Sequence, residues 1–113
     1  RKRKIKELVE TIPTTKEGLW AYEIRWDRLT EKMLNDKIYP FTIKKVIEAL
    51  GTEDEDLVQA VIDKLREHAT ADEMVEELEP VLEDEAVEFV IKIWRFLLFE
   101  LLAHIHNIRT TTV

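Results

Sequence analysis

Residues 86–105 constrain this chain more than any other stretch, because fifteen of the twenty are apolar. At 100° per residue only Glu88, Lys92 and Arg95 gather on one narrow stripe, so a helix over this span must be packed on most sides. Such a helix is about 30 Å long, which suits a small domain or a bilayer. A spanning segment needs roughly 18 or more apolar residues with few charges. Here the longest run without charge or His is only Phe96 to Phe99. The stretch therefore predicts a central core helix and not a membrane span. Each large aliphatic or aromatic side chain it buries is worth roughly 1.5–3 kcal/mol before chain entropy is subtracted.

The 113 residues suit one domain with an ordinary core. Without Cys there is no disulfide framework, thiolate metal site or thiol nucleophile, which fits a reducing compartment such as cytosol or nucleus. The chain opens on Arg1 rather than Met, and Ile5 to Val9 is too short and too charged for a signal-peptide core, so a piece of a longer protein is expected. The net charge of −7 conceals an asymmetry: residues 1–45 hold twelve Lys/Arg against seven Asp/Glu (+5), residues 46–113 five against seventeen (−12). Such a division allows a phosphate-binding patch on an otherwise acidic body.

Ile5, Leu8, Val9 and Ile12 have the spacing of a short amphipathic helix, with Arg1, Lys2, Arg3, Lys4 and Lys6 all ahead of the first carboxylate. Cations in a first turn oppose the helix dipole and cost about 0.3–1 kcal/mol each. Their presence points to an external anionic partner, or else to a solvated tail or localisation signal. Pro13 and Gly18 mark a connector. Leu19 to Trp26 carries three large aromatics without regular period. This reads as an irregular strap across the core, with stacking on unpaired bases as the alternative.

Asp27 is placed to cap a helix running to about Ile38, with Leu29, Met33, Leu34 and Lys37 on one face. Pro40 marks a boundary and opens a helix through Phe41 to Leu50, closed by Gly51. Thr52, followed by four acidic residues, predicts the cap of a helix with Leu57, Val58, Val61, Ile62 and Leu65 as its apolar stripe. Those carboxylates point around a helix rather than converge on a metal. Thr70-Ala71-Asp72-Glu73 fits a capping box, and Pro80 should end or kink the helix it starts by about Glu79. Asp84 then caps the central helix. No alternating run argues for a strand. The expected fold is all-α, a small bundle of about five helices. Residues 1–26 form its basic N-terminal helix and connector and residues 27–113 the bundle, one domain overall.

Catalysis, metals and cofactors are not expected. His104 and His106 lie 200° apart on a helix, there is no Glu-x-x-His pair, and no phosphate loop, nucleophile elbow or zinc spacing occurs. Glu100 and His104, at i and i+4, predict a surface or interfacial pair. The polar stripe of the central helix runs on into Phe99, Leu102 and His106, while Glu100 and His104 emerge on the formerly apolar side. Either the last two turns project beyond the bundle, or Phe99 and Leu102 are covered, with residues 19–26 the candidate cover. An exposed Phe99/Leu102 patch would dock a protein partner.

The Ile38 to Glu48 segment is the most telling local sequence. Taken with the basic Arg1 to Lys6 opening, Ile12-Pro13-Thr14, Leu19-Trp20-Ala21-Tyr22, Trp26, Gly51 and Glu85 to Val90 running into Ile93-Trp94-Arg95, it makes the chain resemble the PWI domain of pre-mRNA splicing factors. The family's Pro-Trp-Ile stands here as Pro40-Phe41-Thr42. Phe41 keeps an aromatic plug, and Thr42 and Ile43 look like a local exchange of the inward-facing position. The resemblance implies a PWI-like four-helix bundle with a short N-terminal helix. It also implies weak, sequence-tolerant binding of single- or double-stranded RNA, and of DNA, in nuclear splicing complexes, with no membrane and no small-molecule substrate. Joined to the charge pattern, it makes Arg1, Lys2, Arg3, Lys4, Lys6, Lys44 and Lys45 the expected phosphate contacts. The competing expectation is a module that docks a splicing-complex protein, its basic opening serving only as linker or import signal.

Overall fold

The apolar stretch forms one uninterrupted helix in a computed structural model that describes residues 2–110. In chain order the elements are α1 (Lys2–Thr11), α2 (Lys16–Ala21), α3 (Glu31–Met33), α4 (Tyr39–Leu50), α5 (Glu55–Arg66), α6 (Ala71–Leu82) and α7 (Ala86–Ile105). The described residues contain no strand. Helices α1, α2, α4 and α6 all pack against α7. Val90, Ile93, Trp94, Leu97 and Leu98 of α7 are at most 2% exposed and meet Leu65, Met74 and Leu78 in one apolar core. No helix among the described residues is long and apolar enough to cross a membrane.

Short polar side chains start the helices by binding backbone N–H groups that lack an intrahelical acceptor. Thr70 and Glu73 form the expected capping box, at 3.1 and 2.8 Å. Two other caps differ from expectation. Thr30, not Asp27, caps α3 by accepting from Met33 N–H, while Asp27 lies in a 3-10 turn, Trp26–Arg28, and pairs with Arg25. Asp54, not Thr52, caps α5 by accepting from Leu57 N–H. Each stretch offers two capping residues within a turn of each other, and packing of the apolar stripe selects between them. Gly51 closes α4 as expected, at φ 78° with its N–H on Ile47 O at 2.7 Å.

Neither proline interrupts its helix. Before Pro40 the backbone widens into a π-turn, Leu34–Ile38, in which Tyr39 N–H bonds back to Leu34 O. The wider turn joins α3 to α4 without a break, and Pro40 sits in the first turn of α4 as expected, so the boundary there is a change of helical winding and not a stop. Pro80 lies on the exposed side of α6, which continues to Leu82. A 3-10 turn, Glu83–Glu85, then leads into α7, with Glu83 at φ 52°. Asp84 sits inside that turn, and no side chain caps α7. The supposed strap is more regular than expected: Leu19 and Trp20 belong to α2, and Trp26 opens the 3-10 turn.

The signature segment also packs differently. Thr42 is fully buried, and its hydroxyl donates to Ile38 O at 2.8 Å, while Ile43 is only half-buried. Position 42 therefore keeps the inward role and the expected exchange with Ile43 does not occur. A satisfied hydroxyl makes this burial tolerable. Phe41 is half-buried and stacks face to face on Phe96, 4.0 Å between centroids, instead of plugging the core.

Candidate nucleic-acid interface

Helix α1 presents Lys2, Arg3, Lys4 and Lys6 to solvent, with no acidic residue in its first turn. Arg1 lies outside the described residues. The remaining cations of the chain are mostly engaged. Arg25 and Arg28 meet Asp27, Lys32 meets Asp36, Lys64 meets Glu67 and Glu77, and Arg66 grips Glu31 through two nitrogens. Lys16 lies over Trp20, Lys37 donates to Thr110 O, and Arg95 donates to Pro13 O. Among the described residues, Lys2, Arg3, Lys4, Lys6, Lys44 and Lys92 are the cations left without such a partner.

The two lysines after the signature thus part company. Lys44 is exposed and unpartnered among the described residues. Lys45 is 19% exposed, pairs with Glu48 at 3.2 Å and lies 5.1 Å from the Phe41 ring centroid. Its positive charge is already partly answered within the molecule. Val9 of α1 and Ile12 just after it share a shallow groove of about 460 Å³ with Phe41 and Lys45 of α4 and with one face of α7. At 1.5 Å rise per residue, Lys2 stands about 10 Å along α1 from Val9. Of the cations expected to meet phosphate, only Lys45 lines this groove; Lys44 and the α1 cations are not part of its lining.

Lys92 and Arg95 also line that groove, and sequence reasoning left them out. Their signal was the Glu88, Lys92, Arg95 stripe on α7, which marks a polar face without saying which helices flank it. Phe99 lines the same groove, together with Val9 of α1. Phe99 and Leu102 are both half-buried against the core. The rings proposed for base stacking are engaged internally. Trp20 Nε1–H donates to Asp72 Oδ1 at 2.8 Å, and Trp26 stacks on His68 and meets Trp94 edge-on.

At the far end of α7, Glu100 is 4% exposed and makes no surface pair with His104 among the described residues. Asn107 adopts φ 56° and Ile108 N–H bonds back to Ala103 O, which reverses the chain and brings the Thr110 hydroxyl onto Glu100. Burial pushes the Glu100 carboxyl above the usual carboxylate range, opposed by the Thr110 bond and the charge of Lys37. Among the described residues no group of His, Asp or Glu is arranged to hold a metal ion.

Comparison with known proteins agrees with this architecture. The chain is similar to RNA-binding motif protein 25 of Arabidopsis thaliana, 40% identical over 85% of this chain and 11% of the relative. It is 38% identical to the U1 snRNP-associated protein usp107 of Schizosaccharomyces pombe over 84% of this chain and 14% of the relative. With RNA-binding protein 25 of Homo sapiens it shares 35% identity over 88% of this chain and 12% of the relative. The chain thus spans only about an eighth of the length of the curated relatives it matches. The family model described as the PWI domain matches residues 36–101, from the π-turn through the buried part of α7, and the chain belongs to the PWI domain family.

Proposed function

We propose that this domain is a non-catalytic RNA-binding module of a nuclear splicing factor, holding the nucleic-acid backbone weakly and without sequence preference. The observation that carries the reading is the set of cations without internal partners: Lys2, Arg3, Lys4 and Lys6 on α1, and Lys44 on α4. In a protein of net charge −7, exposed cations left unpaired are free to release counterions when phosphates replace them. Phosphate contacts position a strand without reading bases, so RNA and DNA, single- or double-stranded, are all ligands. The relatives named as RNA-binding and U1 snRNP-associated proteins support RNA and splicing-complex proteins as partners and the nucleus as setting. Lys45 is assigned a smaller share than Lys44, because Glu48 already shields it.

The test is an RNA titration over a range of salt, with and without residues 1–6. If about five cations engage a single strand, log K falls against log salt with a slope of roughly −3.5. Removing residues 1–6 should abolish most of that slope. Unchanged affinity in the truncated chain would overturn the placement.

A further inference from the structure

The groove between α1, α4 and α7 combines apolar and cationic side chains. Its floor is apolar, formed by Val9, Phe41, Ile91, Phe96 and Phe99. Val9 is 41% exposed there, one of the few large apolar side chains left open to solvent. Its lining also holds Lys45, Lys92 and Arg95 against one carboxylate, Glu88, and of these cations Lys45 is already paired with Glu48 outside the lining. Arg95 donates to a neutral carbonyl, Pro13 O at 3.2 Å, and forms no ion pair among the described residues. Lys92 is exposed and unpartnered among the described residues.

The combination decides what fits. A nucleic acid would use the cationic side chains, but Phe41 and Phe96 already stack on each other at 4.0 Å, which leaves less ring face open to unpaired bases. A peptide with carboxylates flanking large apolar side chains satisfies both. The acidic body repels such a peptide elsewhere, which confines it to this face. We infer that the groove docks an acidic peptide segment of a partner protein, with apolar side chains seated between Val9 and Phe99 and carboxylates against Lys92 and Arg95. This site stands apart from the RNA reading, since it does not require the α1 cations.

A random peptide library displayed on phage, selected on the domain and counter-selected on its Val9→Glu variant, tests the inference. The expected winners carry Asp or Glu around at least two large apolar residues. A synthetic copy of the most enriched peptide should bind the Lys92→Glu variant about tenfold more weakly. Ile47→Glu, at a site 38% exposed and outside the groove lining, should bind that peptide as the parent does. Val9 and Lys92 are both exposed, so each variant should remain folded, which circular dichroism checks. Failure to enrich any peptide, enrichment of basic peptides, or undiminished binding by both groove variants would overturn the site. Titration with an oligouridylate provides the remaining arm. If Lys92→Glu loses as much affinity for it as Lys44→Glu does, the groove is a nucleic-acid track and the peptide assignment falls.

Discussion

The hydroxyl of Thr110 donates to Oε1 of Glu100 at 2.9 Å, and the second carboxylate oxygen, Oε2, is buried without a hydrogen-bond partner among the described residues. A buried, half-satisfied carboxylate is more easily accommodated with its proton on. Because burial raises the folded-state pKa, the folded chain binds more protons than the unfolded chain between the ordinary carboxyl value and the raised one. This contribution to stability is present at low pH and is lost as pH rises through that window. Glu100→Gln should therefore be more stable than the parent at neutral pH, with the difference shrinking as pH falls, as measured by urea unfolding at several pH values. Equal stability of the two chains at neutral pH would refute this account.

Lys44 and Lys45 provide a paired comparison on adjacent positions. Lys44→Glu removes an unpartnered exposed cation and should lower RNA affinity with little effect on stability. The salt slope should become shallower by about 0.7 for each phosphate that the variant no longer engages. Lys45→Glu instead sets a second carboxylate beside Glu48 and removes the cation over Phe41. It should lower the melting temperature while weakening RNA binding less. A fluorescence-anisotropy titration alongside a thermal melt separates the two effects.

Gly51 should resist substitution for a reason that involves no neighbouring atom. Nothing lies within 4 Å of where its side chain would begin, so there is room for one, yet φ is 78°. An L-residue in the left-handed region costs roughly 1–2 kcal/mol. Gly51→Ala should lower stability by about that amount and leave binding unchanged. Loss of RNA affinity at constant fold would indicate a role for this turn that its geometry does not supply.

Trp20 offers a test of how firmly α2 is held. Its indole N–H reaches Asp72 in the first turn of α6, 52 positions along the chain. Asp72→Ala removes that acceptor and an acidic side chain from a helix N-terminus, a loss of about 1–2 kcal/mol in all. Faster amide exchange should appear in α2 but not in α7. Uniform acceleration across both helices would show that α2 has no separate opening.

The sequence made some of these features legible and hid others for identifiable reasons. The buried helix over residues 86–105 was clear because few positions in it are charged, Gly51 because a glycine directly follows the apolar stripe of α4, and Thr70 because Glu73 completes its capping box. Pro80, and the break expected before Pro40, misled because a missing donor ends a helix only when the backbone has no other way to absorb it. At Pro40 the π-turn absorbs it; Pro80 lies on an exposed face within three residues of the helix end. Lys92 and Arg95 were visible as a stripe, but their role depends on α1 lying beside them, and no local pattern specifies which helices become neighbours. Glu100 looked like a surface partner of His104 because the chain reversal at Asn107 that covers it follows from a left-handed residue other than Gly.

The π-turn has a lasting effect on everything N-terminal to it. One surplus residue between Met33 and Tyr39 shifts the angular phase of α3 against α4 by about 100°. That phase lets Met33 and Thr42 both face inward while Glu31 still meets Arg66. Deleting a single residue from this turn would straighten the helix and unscrew the two halves, so that either Met33 leaves the interior or Thr42 does. The insertion thus works as a gear tooth, and the chain cannot drop it without resetting the packing along one whole side.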